Sequence, residues 1–279
     1  MVYLAHFGLA EPPFSITPDT EYLYSAAAHR EAMNTLLLAL QSGEGFIKIT
    51  AEVGMGKTLL CRRFLTTLGE EFICAYIPNP QMDAKALLQL VAEELGVGIG
   101  PGEAAHVIRR INQRLLELAG EGRSVVLCID EAQTMPMLTL ESLRLLSNLE
   151  TEKRKLIHIV LFGQPELDEM LAQPRVRQLR QRIAFHYRMS NLDREEMDLY
   201  LAHRLKVAGR QGDSPFTPAA RQALHRSSGG APRLVNILAH KALLAAFGQG
   251  AQRVTVGHVR LAVADTDGAG SVPWWRPNW

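Results

Sequence analysis

Hydrophobic residues along this chain form short apolar runs that alternate with longer segments of helical periodicity. The runs predict five strands, at residues 46–50, 72–77, 124–130, 156–162 and 183–189. Between them, apolar positions recur at the three- and four-residue spacing of amphipathic helices. Apolar strands that alternate with such helices indicate a parallel sheet covered by helices on both faces. We therefore expect an α/β domain over residues 46–190.

The pattern changes after residue 190, where only helices are predicted. The expected helices span residues 193–208, 218–227, 232–247 and 256–264. Thr217 followed by Pro218 is a typical helix start, because proline is favoured at the first helical position. These helices predict a small helical lid domain over residues 191–265.

The two ends of the chain have weaker patterns. Residues 1–45 contain a proline-rich segment, 11–19, that is incompatible with regular structure, and then a helix over about 29–40. Residues 266–279 form a predicted tail with three tryptophans. Such a tail could insert into a membrane interface, dock on a partner, or pack on the lid domain itself.

Composition narrows the class of protein. Hydrophobic residues make up 47% and charged residues 21% of 279, as in globular proteins, and the net charge is +1. This near-neutral charge is atypical of a dedicated nucleic-acid binder, which makes nucleic acid an unlikely partner without excluding it. No apolar run approaches the roughly 20 residues of a membrane span. Three cysteines without CxxC spacing are typical of reduced thiols, so we expect a cytoplasmic protein without a transmembrane segment.

A phosphate-binding loop is predicted directly after the first strand. Residues 51–58, Ala-Glu-Val-Gly-Met-Gly-Lys-Thr, follow the pattern G-x-x-x-x-G-K-[S/T] except at the first position. Backbone N–H groups of such a loop and the helix N-terminus bind phosphate. We expect Lys57 to contact the β- and γ-phosphates of ATP and Thr58 to hold Mg²⁺. The residues predicted to bind nucleotide are Glu52, Val53, Gly54, Met55, Gly56, Lys57, Thr58, Leu59 and, from the motif described next, Asp130.

The third strand is strongly apolar and ends in two carboxylates, Asp130 and Glu131. This is the Walker B pattern, in which Asp130 helps to fix Mg²⁺ and Glu131 orients and polarises the attacking water. Two carboxylates at a strand end are also compatible with a helix cap or a solvated turn. Together with the upstream loop, they favour a P-loop ATPase that uses ATP and Mg²⁺.

These motifs and the segments around them resemble the ExeA/GspA family of AAA+ ATPases. The resemblance covers nearly all of residues 3–265. Its most specific segments are Ile-Asp-Glu-Ala-Gln at 129–133, Gly-Gln-Pro-Glu-Leu at 163–167 and Gly-Ala-Pro-Arg at 230–233. The resemblance implies a cytoplasmic ATPase that works with protein partners at the inner membrane to assemble type II secretion or type IV pilus machinery. Secretion members carry a transmembrane helix and a peptidoglycan-binding region after the ATPase core, and their absence favours a pilus-type (MSHA-like) member.

The resemblance also implies three further catalytic residues. Gln164 follows the fourth strand, at the place of the sensor 1 residue, although a glutamine before proline is also common in turns. Arg182, with Arg180 as the alternative, precedes the fifth strand, at the place of an arginine finger that completes a neighbouring subunit's site. An arginine finger requires a homo-oligomer, whereas a solvated face or a nucleic-acid contact does not. Arg233 lies in the first turn of a predicted helix, where a cation is unfavourable, and matches a sensor 2 arginine.

Two other interpretations stay open. A DNA-acting AAA+ protein of the transposition-regulator type has the same core, and the arginines would then contact phosphates. The other interpretation is a nucleotide-gated scaffold that binds ATP with little turnover. Its one sequence indication is Ala51, because alanine adopts positive φ only at a cost on the order of 1 kcal/mol.

Overall fold

A computed structural model describes residues 2–15, 22, 24, 26–98, 104–147, 149–150 and 155–270. Residues 16–19 of the proline-rich segment and the tryptophans of the tail lie outside the described residues. The chain forms two compact units. The α/β unit comprises residues 29–52 and 60–189, and the helical unit comprises the described residues within 1–28, 53–59 and 190–279.

The α/β unit is built on one parallel five-stranded sheet. Its strands are β1 (Phe46–Thr50), β2 (Phe72–Ile77), β3 (Ser124–Ile129), β4 (Ile157–Gly163) and β5 (Ile183–Arg188). Their order is β2-β3-β4-β1-β5, and every pairing is parallel. The α/β class and the parallel sheet predicted from the sequence are therefore confirmed. Because the strands are parallel, their carboxyl ends lie along one edge of the sheet.

Helices pack against this sheet from both sides. They are α1 (Ala27–Gln41), α2 (Lys57–Thr67), α3 (Ala84–Glu94), α4 (Ala104–Gly120), α5 (Met137–Ser147), α6 (Glu166–Ala172) and α7 (Arg177–Arg180). Alternate residues of β3, Val125, Leu127 and Ile129, belong to a core that includes residues of α3 to α7. The intervening Cys128 faces the other side, where its thiol is hydrogen-bonded to Cys61 of α2. This alternation is what a strand buried on both faces requires.

The helical unit contains α8 (Arg194–Val207), α9 (Pro218–Ser228), α10 (Pro232–Gly248) and α11 (Val256–Ala264). Its helices begin where the sequence predicts, because each start has a cap or a proline. Asp193 accepts a hydrogen bond from the Glu196 N–H, and the Glu196 carboxylate accepts one from the Asp193 N–H. Thr217 caps α9 by accepting a hydrogen bond from the Ala220 N–H on its side chain, ahead of Pro218. Within the described part of the chain, no helix is long and apolar enough to cross a membrane.

Residues 2–15 share the hydrophobic core of the helical unit. Phe14 packs edge-to-face on Phe216, with ring centroids 5.9 Å apart. Arg204 of α8 is only 7% exposed. Its guanidinium donates to the carbonyl oxygens of Pro13 (2.5 Å) and Ser15 (3.2 Å) and to the hydroxyl of Tyr200 (3.1 Å). One buried cation therefore satisfies two carbonyls of a segment that has no regular hydrogen-bond ladder.

We predict that Arg204→Met lowers the free energy of unfolding by about 2–4 kcal/mol, because two backbone carbonyls lose a charged donor. Urea denaturation measures the effect. Arg226→Met is the matched control, since Arg226 is an exposed arginine of α9, and we expect it to change stability by less than about 0.5 kcal/mol. Equal effects of the two substitutions would contradict the role assigned to Arg204.

Candidate active site

Of the predicted phosphate-binding loop, residues 51–58, the part from Val53 to Thr58 belongs to the helical unit. Gly54 and Gly56 both have φ of 82°, a left-handed conformation that favours glycine. Lys57 is the first residue of α2 and is only 5% exposed, and Thr58 is the second. Backbone N–H groups at a helix start, beside a buried lysine, are the arrangement that phosphate-binding loops use. The structure therefore places Lys57 and Thr58 at the helix start that the phosphate-loop motif requires.

Ala51, at the first position of the motif, is fully compatible with its surroundings. It is 1% exposed, and its N–H donates to the Gly163 carbonyl oxygen at 3.1 Å. Among the described residues, Glu131 is the only non-glycine with positive φ, so Ala51 avoids the left-handed region. Ala51 therefore causes no backbone strain. The cost of positive φ, which is the one sequence indication for a scaffold with little turnover, does not arise.

Arg233, the predicted sensor 2 residue, lies directly against the phosphate-binding loop. It is the second residue of α10 and is exposed. A Cβ atom added to Gly54 would be 2.2 Å from the Arg233 Cβ and 3.0 Å from its Cδ. Gly54 thus serves two needs, since it provides both the positive φ and the space for the arginine. The structure brings Arg233 next to Gly54 of the predicted phosphate-binding loop.

Asp130 follows β3 and is 2% exposed. Its Oδ1 accepts the Glu131 N–H at 2.9 Å, and its Oδ2 accepts the Tyr76 hydroxyl at 3.3 Å. Burial, and after it the charge of Asp130, raises the pKa of Tyr76 to about 12. Tyr76 therefore stays a neutral donor at physiological pH.

Glu131 has an unusual backbone conformation, with φ of 51°. A non-glycine residue in this region is strained and requires its surroundings to hold it there. Thr134 does so, because its N–H and hydroxyl both donate to the Glu131 carbonyl oxygen, at 2.8 and 2.9 Å. With this φ, the chain at Glu131 turns away from the extended conformation of β3.

The Glu131 carboxylate lies between two glutamines. Its Oε2 accepts the Gln164 Nε2 at 3.1 Å and the Gln133 Nε2 at 2.5 Å. Gln164 directly follows β4, the strand that pairs with β3, so adjacent strand ends bring the two side chains together. The structure thus brings Gln164, the predicted sensor 1 residue, into contact with Glu131.

The five arginines near β5 are exposed: Arg175, Arg177, Arg180, Arg182 and Arg188. Arg182 precedes β5, and Arg180 is the last residue of α7. Arg188 is 4.0 Å from the carboxylate of Glu52, the first predicted nucleotide contact, and both side chains are largely exposed. Such a pair contributes little to stability. Exposure makes Arg182 and Arg180 accessible to another molecule, as an arginine finger requires.

The oxygen atoms of Thr58 and Asp130 fit Mg²⁺ in chemical type. No group of three or more His, Cys, Asp or Glu side chains that could hold a metal occurs among the residues that the structure describes. Mg²⁺ needs no such group, because it binds through one or two carboxylates, waters and substrate phosphates. A hydroxyl at a helix start and a buried carboxylate are the ligands this mode uses.

Comparison with known proteins identifies the class of fold. The family model described as an AAA domain matches residues 40–171. The fold is similar to Cdc6p from Pyrobaculum aerophilum, with a TM-score of 0.63, 16% identity, and coverage of 89% of this chain and 71% of that one. It is also similar to RuvB of Thermotoga maritima, with a TM-score of 0.57, 15% identity, and coverage of 91% and 73%. The fold is that of the AAA+ P-loop ATPases.

The particular relative is a secretion protein. The chain is 43% identical over 277 residues to General secretion pathway protein A of Aeromonas hydrophila. The alignment covers 99% of this chain and 50% of that protein. The chain thus spans about half the length of this curated relative. The identity supports the resemblance to ExeA/GspA-type AAA+ ATPases, which the segments at 129–133 and 163–167 indicate.

Two residues of the site were not assigned from the sequence. Tyr76 lies inside an apolar strand, and no local pattern indicates that its hydroxyl reaches Asp130. Gln133 is part of the segment that carries the family resemblance, but its two contacts depend on tertiary structure. In the sequence, the only indication for Gln133 is that it is polar and lies two residues after Glu131.

We predict that Gly54→Ala weakens ATP binding by about 10-fold or more, because the new Cβ meets Arg233 and positive φ disfavours alanine. Fluorescence titration with a labelled ATP analogue measures the affinity. Gly43→Ala is the matched control, since Gly43 has φ of 71° but nothing within 4 Å of an added Cβ. We expect it to lower stability without changing affinity. Wild-type affinity in Gly54→Ala would contradict this account of the loop.

Proposed function

We propose that this chain is an ATPase that binds Mg-ATP and hydrolyses it. The observation that carries the proposal is the arrangement around Glu131. A carboxylate beside a buried Asp130 is held by the Gln164 amide at 3.1 Å, in an AAA+ fold with a phosphate-binding loop. A carboxylate oriented by hydrogen bonds from neutral amides is suited to accept a proton from water.

The residues of the loop have distinct roles in this proposal. Lys57 neutralises charge on the β- and γ-phosphates, and backbone N–H groups of residues 53–59 bind them. Arg233 adds a second positive charge from α10. Thr58 and Asp130 hold Mg²⁺, which when bound stabilises the charge on the phosphate oxygens. Glu131 polarises the attacking water, and Gln164 orients Glu131.

We also propose that a homo-oligomer completes the site. The support is Arg182, an exposed arginine that precedes the edge strand β5 at the position of an arginine finger. A guanidinium of one subunit would neutralise charge that develops on the γ-phosphate bound by its neighbour. Arg180, two residues earlier, is the alternative.

For the cellular role, we propose the assembly of type II secretion or MSHA-like type IV pilus machinery. The support is the 43% identity with General secretion pathway protein A and the resemblance of the motifs to the MSHA-pilus biogenesis ATPase MshM. In this role the protein works from the cytoplasm, peripherally at the inner membrane, with protein components of that machinery as partners.

The test is steady-state ATP hydrolysis against protein concentration, for the wild type, Glu131→Gln and Arg182→Ala. We expect wild-type activity to rise more than proportionally with concentration, and to fall by about 100-fold or more in both variants, because each loses a group that acts on the transition state. Arg175→Ala is the matched control, since Arg175 is an exposed arginine of the same cluster. We expect it to retain activity.

Three other outcomes would each contradict part of the proposal. ATP binding without turnover at any concentration would overturn the autonomous ATPase. Loss of activity in Arg175→Ala as large as in Arg182→Ala would overturn the specific finger. Stimulation by duplex DNA that disappears at high salt would favour the DNA-acting interpretation instead.

A further inference from the structure

Gln133 connects two parts of the candidate active site. It lies in the short 3-10 turn Ala132–Thr134, two residues after Glu131. Its Nε2 donates to Glu131 Oε2 at 2.5 Å, and its Oε1 accepts the backbone N–H of Gln164 at 3.0 Å. Since the Gln164 side chain also donates to Glu131 Oε2, the three residues form a closed ring of hydrogen bonds.

The orientation of the Gln133 amide follows from its partners. A backbone N–H is only a donor and a carboxylate is only an acceptor. The amide oxygen must therefore face Gln164 and the amide nitrogen must face Glu131. Turning the amide by 180° would lose both hydrogen bonds. The ring thus fixes the positions of all three side chains relative to one another.

We propose that Gln133 is a positioning residue for ATP hydrolysis, which rests on the function proposed above. Both glutamine amides bind the same carboxylate oxygen, Oε2 of Glu131. Gln133 thereby leaves the other oxygen, Oε1, to accept the proton of the attacking water. In that step the water oxygen bonds to the γ-phosphorus, the bond from the γ-phosphorus to the leaving oxygen of ADP breaks, and the proton moves to Oε1.

The strained backbone of Glu131 makes such a clamp necessary. At φ of 51°, Glu131 leaves the extended path of β3, and a glutamate side chain has several staggered rotamers available to it. Gln164 alone would let the carboxylate rotate about one hydrogen bond. Gln133 adds a second donor from the same turn and holds the Gln164 backbone as well. Groups that orient a catalytic ligand in this way typically change activity by about 10- to 100-fold.

The test compares kcat, KM and ATP affinity for the wild type, Gln133→Ala and Gln133→Glu. We expect both variants to lower kcat by about 10- to 100-fold while KM and the Kd for ATP stay within about 2-fold. Gln133→Glu keeps an acceptor for the Gln164 N–H but loses the donor to Glu131. Gln133→Glu therefore distinguishes two roles of Gln133, which are orienting the Glu131 carboxylate and supporting the Gln164 backbone.

The matched control is Gln113→Ala. Gln113 also donates its amide to a glutamate carboxylate, that of Glu117 at 3.3 Å, but on the exposed surface of α4. We expect this variant to have the wild-type kcat. A loss as large as that of Gln133→Ala would show that the effect is not specific to the site.

A double-mutant cycle with Glu131→Gln tests whether Gln133 acts through Glu131. We expect Gln133→Ala to lower kcat by less than 2-fold in the Glu131→Gln background, because the carboxylate it positions is gone. Additive losses, or a wild-type kcat in Gln133→Glu, would overturn the positioning role while the ATPase proposal stands. A wild type that binds ATP but has no turnover would overturn the ATPase proposal, and this inference with it.

Discussion

The parallel pairing of β4 between β3 and β1 is the constraint on which the chemistry of the α/β unit depends. Backbone hydrogen bonds place Ile129 of β3 beside Leu161 of β4, and Thr50 of β1 beside Gly163 of β4. The residues that follow these strands therefore emerge together at one edge of the sheet, with Asp130 and Glu131 next to Gln164. The Ala51 N–H continues this pairing by one more bond to Gly163. Any slip in register would separate the carboxylate from its amide partner.

Polar groups at this edge are tolerated because each has a specified partner. Asp130 is nearly fully buried, and an unpaired buried charge would be costly. The Tyr76 hydroxyl and the Glu131 N–H reduce that cost by donating hydrogen bonds to its carboxylate. In the helical unit, the contact of Arg233 with Gly54 follows the same rule, since the absent side chain of glycine is what admits the arginine. The contacts that make these polar groups tolerable therefore also position the residues of the candidate site.

Much of this architecture is predictable from local sequence. The apolar runs at 46–50, 72–77 and 124–129 locate strands because a sheet buried on both faces needs them, and Thr217-Pro218 marks a helix start by its own chemistry. Lys57, Thr58, Asp130 and Gln164 can be predicted as site residues because their motifs tie residue type to strand ends and a helix start. Gln133, Tyr76 and the Gly54–Arg233 contact were beyond prediction, because they join residues whose meeting depends on tertiary packing. The left-handed conformation of Glu131 also lacks a local signal, since glycine or asparagine would normally mark it.

The central proposal is that this chain binds Mg-ATP and that Lys57 and Asp130 both contribute to the binding. Equilibrium binding of ATP with and without Mg²⁺ tests it most directly, in the wild type, Lys57→Ala and Asp130→Asn. The account predicts that Lys57→Ala loses affinity with or without Mg²⁺, because the phosphates lose a cation in both cases. Asp130→Asn should keep the affinity for metal-free ATP and lose the gain that Mg²⁺ provides. An Asp130→Asn variant whose affinity still rises with Mg²⁺ as much as that of the wild type would contradict the account.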